Sequence, residues 1–383
     1  MLRCARSSRN KAASRWTKRT PTSRSLRTTS ATSATCIENA EFRMTKGTRR
    51  ARAVFRVSSL IRHSAFVIRH YMKLLACGVF LLVAGLANAG LEKYSSLVVA
   101  DKDSGERAPS NAVRVTYLGV NGFQFETSGH VLLVDPYFTR VGLSSAALNQ
   151  PIQSDANRVG EGLRHVRPRA DALLVTHAHF DHLLDAPEIM RRTYARLVAG
   201  PTEIRLVESF GISPNKCQIV KQGSARKIGP WTVRAFAAQH DRLFRKVPFD
   251  RCPPAPREGE KPPVKASDWC VGEPLAFVIE AAGKRIYIDS GGVPGVPPDR
   301  RIKDVDLAIL GVALPDSRER FGEAVRQLRP RYILPSHQDD MFGPVDHGFV
   351  FGKMTNFPAL LSQSRNLPGR LILLDYFRPW TLR

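Results

Sequence analysis

Short apolar runs separated by turn residues dominate the chain from Ala112 onward. The first three runs alternate or are continuously apolar over strand length, and Gly122 and Gly129 break them. They read AVRVTYLGV, GFQFETSG and HVLLVDPYF. Later runs of the same kind are DALLVTHAH, ARLVAG, CQIVKQG, GPWTVRAFAAQH, LAFVIEAAG, KRIYIDSGG, DVDLAILG, RYILPSHQDD and RLILLDYF. These patterns predict a succession of β-strands.

Helices are predicted between the strands. Asp185 with Glu188 three residues later has the spacing of a capping box. The segment PTEIRLVESFG starts with proline and ends with glycine, which is the usual asymmetry of a helix. The segment RERFGEAVRQLRP carries apolar residues at helical spacing as far as Pro330. Strands that precede and follow helices in two similar halves indicate sheets inside and helices outside.

The positive charge of the chain is concentrated in residues 1–71. The net charge is +24, and this segment holds 17 Lys and Arg against 2 Asp and Glu, so that +8 remains from Gly90 onward once Lys73 is counted. Rich in Ser, Thr and Arg and without periodicity, residues 1–71 are expected to be a disordered basic leader or sequence upstream of the true start. A nucleic-acid-binding arm is the alternative, but no aromatic or groove-reading motif accompanies the charges. We expect no nucleic-acid partner.

Residues 72–89 have the pattern of a bacterial secretory signal peptide. Lys73 precedes an apolar stretch too short to span a bilayer comfortably, and Ala87, Asn88 and Ala89 form a small-x-small cleavage site. We therefore expect a periplasmic or secreted protein, with no stable membrane span after cleavage and one folded domain over residues 90–383. An uncleaved segment would instead be a membrane anchor.

Three cysteines remain after the leader. Cys252 and Cys270 flank the insert CPPAPREGEKPPVKASDWC, which they could close as a disulfide in an oxidising compartment. Three unpaired thiols, with Cys217 as the third, are the alternative.

The segment VTHAHFDHLLD crowds three histidines and an aspartate into six positions at the end of a strand. His177 and His179 are two residues apart and point to the same side, and the following turn lets Asp181 and His182 approach from a loop. Imidazole and carboxylate are metal ligands, and so many close imidazoles are difficult to satisfy without a metal. The segment predicts two neighbouring cations, each with two ligands from it.

Further ligands for such a pair are expected at other strand ends. His240 closes AFAAQH, Asp289 closes RIYIDSGG and His337 closes RYILPSH. Each is weak alone, but their shared position after apolar runs makes them candidates. Asp135 is a weaker candidate, which either orders the strand-end loop near the site or has a plain turn role. Asp339, Asp340 and His347 could line the pocket or hydrogen-bond the ligating histidines, and solvated loop charges are the alternative.

The succession HAHFDH, AQH, IDSGG and PSH resembles the metallo-β-lactamase superfamily. The segment VTYLGVNGFQFETSGHVLLVDPYF is similar to the first strands of its lactonase and phospholipase-D-like branch, and the resemblance covers about residues 112–377. It implies an α/β fold, the αββα sandwich of two mixed β-sheets with helices outside, and a site at one edge between the sheets. This chain departs from the branch in LGVN, where Val120 and Asn121 replace the usual His-Ala, and in Phe180, where Tyr is common.

The resemblance also implies which residues bind which ion. One metal would take His177, His179 and His240, the other Asp181, His182 and His337, and Asp289 would bridge the two. We assign the catalytic role to Asp181, as the ligand that orients the nucleophilic water and can accept its proton.

The function that we expect is metal-dependent hydrolysis. A hydroxide bridging two divalent cations, zinc first and manganese or iron as alternatives, would attack an ester, lactone or phosphodiester in a small-molecule or lipid-like substrate. A di-iron redox protein and a non-catalytic binding protein on the same scaffold are the competing hypotheses. The oligomeric state cannot be read from the sequence.

Overall fold

The predicted strands form two seven-stranded sheets in the computed structural model, which describes residues 90–102, 107–243, 245–252, 262–290, 302–314 and 317–383. The first sheet has the order β14-β1-β2-β3-β4-β5-β6, and its strands are β1 (Val113–Gly119), β2 (Gly122–Thr127), β3 (His130–Val134), β4 (Ala172–Leu174), β5 (Arg196–Ala199), β6 (Cys217–Ile219) and β14 (Trp380–Leu382). The second has the order β13-β12-β11-β10-β9-β8-β7, and its strands are β7 (Ala225–Ile228), β8 (Trp231–Ala237), β9 (Leu275–Ala281), β10 (Lys284–Ile288), β11 (Leu307–Gly311), β12 (Tyr332–Ser336) and β13 (Arg370–Leu371).

Both sheets are mixed in the same way. Strands β14, β1, β2 and β3 pair antiparallel, whereas β3, β4, β5 and β6 pair parallel. In the second sheet, β10 to β13 pair parallel and β7 to β10 pair antiparallel. Because β8 is antiparallel to β9 and β9 to β10, the carboxyl end of β8 lies at the same edge as those of β10 and β12.

Alternate residues of the strands face different hydrophobic layers. In β3, Leu132 and Val134 belong to a core cluster shared with residues of the second sheet, such as Phe277 and Ile288. The intervening Leu133 packs in a second cluster with residues of the helices that cover the first sheet. Strands buried on both faces read as nearly continuous apolar runs, which explains the patterns in the sequence. The predicted α/β sandwich of two mixed sheets is confirmed.

Seven α-helices are present in the described residues. Helices α3 to α5 pack in the cluster on the outer face of the first sheet, and α6 and α7 contribute to the cluster that contains the second sheet. The helices are α1 (Leu143–Ala147), α2 (Ala156–Leu163), α3 (Phe180–Leu183), α4 (Ala186–Thr193), α5 (Pro201–Glu208), α6 (Ser317–Leu328) and α7 (Phe357–Ser364). Short 3-10 helices cover Leu91–Leu97, Pro214–Lys216, Ala266–Asp268 and Val345–His347.

Several elements differ from the sequence-based expectation. Asp181 and His182 lie in the short helix α3 and not in a loop. Asp185 precedes α4, but its side chain makes no cap hydrogen bond, so the predicted capping box is wrong. Its carboxylate instead accepts hydrogen bonds from the backbone N–H groups of Phe138 and Thr139 and from the Ser154 hydroxyl. Donors that are distant in sequence have therefore replaced the N–H groups of the first turn of α4 as partners of the Asp185 carboxylate. RLILLDYF forms only the two-residue strand β13.

The leader expected over residues 1–71 and the signal peptide expected over residues 72–89 lie outside the described residues. Within the part of the chain that the structure describes, no helix is long and apolar enough to cross a membrane.

Candidate metal centre

Six of the seven predicted ligands meet in two groups at the carboxyl ends of the strands. His177, His179 and His240 form one group, and Asp181, His182 and His337 form the other; within each, one ligand atom per residue lies within 4.8 Å of the others. We call these the three-histidine triad and the mixed triad. The rings of His177 and His182 are 4.0 Å apart between centroids, so the two triads are adjacent.

The turn between β4 and α3 brings four of the ligands together. After β4 the chain stays extended as far as His179, which has φ −62° and ψ 153° and precedes the first turn of α3. His177 and His179 therefore project from the strand end, while Asp181 and His182 project from the helix. All four side chains are buried. His240 follows β8 and His337 follows β12, so the second sheet completes each triad.

Hydrogen bonds fix which nitrogen of each imidazole in the three-histidine triad is free to bind a cation. His179 Nε2 lies 3.0 Å from the Pro248 carbonyl oxygen, and His240 Nδ1 lies 2.7 Å from the Asp241 carbonyl oxygen. A carbonyl only accepts, so these nitrogens carry the protons and His179 Nδ1 and His240 Nε2 keep lone pairs. His177 Nδ1 faces the Thr176 hydroxyl at 3.2 Å. That hydroxyl donates its hydrogen bond to Asp135. His177 Nδ1 therefore donates to the hydroxyl oxygen, and His177 Nε2 keeps its lone pair.

The resulting lone pairs point at one another. His177 Nε2 is 3.0 Å from His179 Nδ1, and neither has its proton in the arrangement just described. Burial, together with the neighbouring imidazoles, holds the pKa of both His177 and His179 well below the ordinary value. Burial also lowers the pKa of His240 to about 4. Three neutral imidazoles with converging lone pairs are a donor set that suits a divalent cation such as zinc.

The mixed triad is arranged around one carboxylate oxygen. Asp181 Oδ2 lies 2.9 Å from His337 Nε2 and 3.3 Å from His182 Nε2. Although burial alone would raise it, these histidines hold the pKa of Asp181 well below its usual range. Burial opposes the charged form of His182, but the carboxylates of Asp181 and Asp135 raise its pKa to about 10. One anion and two imidazoles again fit a divalent cation, which would displace the proton on His182 Nε2.

Asp135 joins the two triads through hydrogen bonds. Its Oδ2 accepts from His182 Nδ1 at 2.9 Å and from the Thr176 hydroxyl, and its Oδ1 accepts the Thr176 N–H at 2.8 Å. Asn121 donates to the same Oδ2 at 2.9 Å and accepts from the Ser336 hydroxyl at 2.7 Å. Asp135 therefore binds a predicted ligand directly, a contact that neither the loop-ordering role nor the turn role expected for it included.

The turn between β1 and β2 holds His337 through its backbone. The Val120 carbonyl accepts the His337 N–H at 2.6 Å, and both residues have φ 54°. A left-handed conformation is strained for a β-branched valine, and such strain collects at functional sites. Val120 therefore supports His337 through its backbone, although it lacks the imidazole that the resemblance gives at this position.

A buried ion pair stabilises the same turn. Arg140 Nη2 lies 3.0 Å from Asp339 Oδ2, and both side chains are fully shielded from solvent. Asp339 also accepts from the Val120 N–H and from the hydroxyls of Tyr117 and Tyr376. Sequence reasoning did not identify Arg140, because its partner is 199 positions away.

Asp289, the seventh predicted ligand, lies outside both triads. Its Oδ1 accepts the Gly311 N–H at 3.2 Å, and the Tyr287 hydroxyl interacts with the same carboxyl group. Burial raises the pKa of Asp289 to about 8. The adjacent Ser290 hydroxyl lies 3.4 Å from His182 Nε2, so this strand end adjoins the mixed triad. The bridging role of Asp289 stays a prediction.

Cys252 and Cys270 form a disulfide, with Cα atoms 4.9 Å apart, and Cys217 is a free cysteine. Of the two alternatives for these residues, the structure has the stapled insert. The segment just before Cys252 supplies the Pro248 carbonyl that binds His179, a backbone contact for which the sequence carries no signal.

Comparison with known proteins gives a consistent result. The model of the β-lactamase superfamily domain matches residues 114–337. A UPF0173 metal-dependent hydrolase of Rubrobacter xylanophilus is 29% identical over 232 residues, which is 58% of this chain and 81% of that protein. The counterpart of Pelotomaculum thermopropionicum is 27% identical over 229 residues, covering 59% and 84%.

Solved structures that are similar include Igni18, a metallo hydrolase from Ignicoccus hospitalis. It has 19% identity and a TM-score of 0.48, and the match covers 71% of this chain and 99% of that one. The metallo-β-lactamase fold protein YhfI from Bacillus subtilis has 12% identity and a TM-score of 0.45, covering 70% and 99%.

Proposed function

Because this chain belongs to the β-lactamase superfamily, we propose that it is a metal-dependent hydrolase with two divalent cations, one in each triad. The observation that carries the proposal is the convergence of unprotonated nitrogens in the three-histidine triad next to a carboxylate-centred triad. The names of the relatives, which are metal-dependent hydrolases, support the same class of activity. Zinc is the first choice of metal, since histidine and aspartate donors suit it, and manganese or iron are the alternatives.

When bound, two divalent cations supply Lewis acidity and make water nucleophilic near neutral pH. The residues of the chain orient the ligands and transfer protons. The hydrogen bonds from His179 to Pro248 and from His182 to Asp135 fix the rings so that the free nitrogens face the site.

Asp181 is the residue that we assign to proton transfer. Its Oδ2 contacts His182 and His337, and we assign the acceptance of a proton from water to this carboxylate. The low pKa of Asp181 keeps the carboxylate charged, as a metal ligand must be. In the reaction, the water oxygen bonds to the carbonyl carbon or phosphorus, the bond to the leaving oxygen breaks, and the proton passes to that oxygen. Esters, lactones and phosphodiesters are the substrate class, in a small or lipid-like molecule.

We also propose that the protein acts outside the cytoplasm. Disulfides persist in oxidising compartments, and the Cys252–Cys270 bond supports the export that the segment at residues 72–89 predicts. The basic residues 1–71 would not be part of the exported protein.

The test is metal analysis of the full chain, coupled to hydrolysis assays with lactones, phosphodiesters and esters. We expect two ions per chain, hydrolysis that stops after chelation, and recovery with one kind of ion. The His177→Ala variant should lose activity. His130→Ala is the matched control, because His130 is exposed and pairs with Asp171 away from the triads, and it should keep activity. Hydrolysis that continues after complete removal of metal would contradict the proposal.

A further inference from the structure

The segment just before the disulfide-closed insert contacts one of the ligands directly. The Pro248 carbonyl accepts the His179 Nε2–H at 3.0 Å, and the Phe249 ring lies 6.1 Å from the His179 ring, edge to face. Phe249 also lies 6.5 Å from Phe180, the first residue of α3. The residues around Pro248 therefore set both the tautomer and the tilt of the His179 ring.

Backbone hydrogen bonds join the two segments that flank the insert to the turn that carries His177 and His179. The Ala178 N–H donates to the Val271 carbonyl at 3.2 Å, and the Val271 N–H donates to the Phe249 carbonyl at 3.0 Å. Three extended segments thus lie side by side, with the ligand turn at one side and Phe249 at the other. Cys270 and Cys252 each lie within three residues of these contacts.

The two ends of the disulfide are anchored very differently. Cys270 follows Trp269, which is fully buried and stacks on Phe210 with ring centroids 5.7 Å apart. Cys252 is exposed, and no helix or strand covers residues 245–252. The covalent bond therefore holds the Pro248 segment to a fixed part of the core, and it removes conformations in which the carbonyl moves away from His179.

We propose that the Cys252–Cys270 bond is a positioning element of the three-histidine triad. Breaking it weakens the ion held by that triad and leaves the mixed triad unchanged. The mixed triad is supported from elsewhere: His182 binds Asp135, and the His337 N–H binds the Val120 carbonyl. The inference rests on the metal site proposed above.

The experiment uses the full chain with Cys252→Ser, which removes the bond at its exposed end and leaves the buried Cys270 in place. Cys217→Ser is the matched control, since it removes the free cysteine without touching the insert. Metal-free protein is titrated with cobalt(II), followed by its visible absorption, and with zinc in competition with a chromophoric chelator. Far-UV circular dichroism records the fold.

We expect wild type and Cys217→Ser to bind two ions alike. Cys252→Ser should bind one ion as wild type does and the other about tenfold more weakly, with an altered cobalt spectrum and an unchanged dichroism spectrum. If Cys252→Ser binds both ions as tightly as wild type does, the inference is overturned while the proposed function stays intact. Loss of both ions together with the dichroism signal would also overturn it, since the bond would then be a general folding constraint. A wild-type chain that binds no ion would contradict the proposed function itself.

Discussion

Asp135 connects the two triads of the candidate site through hydrogen bonds. Its carboxylate accepts hydrogen bonds from His182 of the mixed triad and from the hydroxyl of Thr176. The Thr176 oxygen in turn faces His177 of the other triad. It is fully buried, so its contacts are not exchanged with water. A group in this position controls the tautomer and the basicity of metal-binding imidazoles without touching the ions.

We predict that Asp135→Asn lowers metal affinity or activity by about 10- to 100-fold. The amide keeps the size of the side chain but loses the charge that holds the proton on His182 Nδ1. Isothermal titration with zinc and the rate of hydrolysis measure the effect.

The control for this change is Asp171→Asn. Asp171 faces His130 Nδ1 at 3.2 Å in a partly exposed pair outside the site, so the same substitution is made in a comparable aspartate–histidine pair. Equal losses in both variants would mean that Asp135 acts through general stability alone.

At this scale, the sequence predicted the contiguous ligands best. His177, His179, Asp181 and His182 are neighbours along the chain, so their spacing already brings them together. His240 and His337 required both a strand-end argument and the resemblance to a family. The Pro248 carbonyl could not be predicted, since every residue carries a carbonyl and the position of this one depends on how the segment before Cys252 folds.

Helix α5 carries an acidic residue where no charge is expected. Glu203 lies in the first turn and is fully buried, and its carboxylate packs against Gly200 and Gly272, where a Cβ atom would come within 2.4 and 2.5 Å of its oxygens. Burial, with the nearby Glu273 carboxylate, raises the pKa of Glu203 to about 8. The folded protein therefore keeps a proton on Glu203 at neutral pH, which the unfolded chain releases.

We predict that Glu203→Gln becomes more stable relative to wild type as the pH rises. A raised pKa in the folded state stabilises the protein fully below the unfolded pKa, 4.5, and this contribution is lost as the pH rises toward 8. Glutamine has no proton to lose, so the difference in unfolding free energy should grow by about 1.4 kcal/mol per pH unit within that window. Urea unfolding at several pH values measures it.

Glu208→Gln, near the other end of α5, is the control for removing a carboxylate from this helix. A pH-independent difference for Glu203→Gln would mean that Glu203 is charged in the folded protein at neutral pH.

Element boundaries followed the apolar runs where local and tertiary preferences agree. Helix α5 matches its proline-to-glycine pattern. The capping box at Asp185 failed because buried donors from the segment after β3 compete for the same carboxylate. Strand β14 was not predicted, since three residues carry too short a pattern and their pairing partner is β1, at the other end of the described chain.

Both sheets contribute to each triad, so the ions would connect the two halves of the sandwich. His240 and His337 come from the second sheet, whereas the remaining ligands follow β4 of the first. We predict that chelation lowers the melting temperature, because a ligand that binds only the folded state adds about 2.7 kcal/mol at a hundredfold excess over its dissociation constant. Calorimetry at increasing zinc concentration measures it. A melting temperature independent of zinc would contradict the prediction.

The arrangement of the triads also sets an order of assembly. Each triad is incomplete until His240 or His337 has docked against the turn after β4. Under the proposed function, both complete sites would form only after the chain has been synthesised to His337 and the two sheets have docked. Full metal loading would then follow folding, in the compartment in which folding ends.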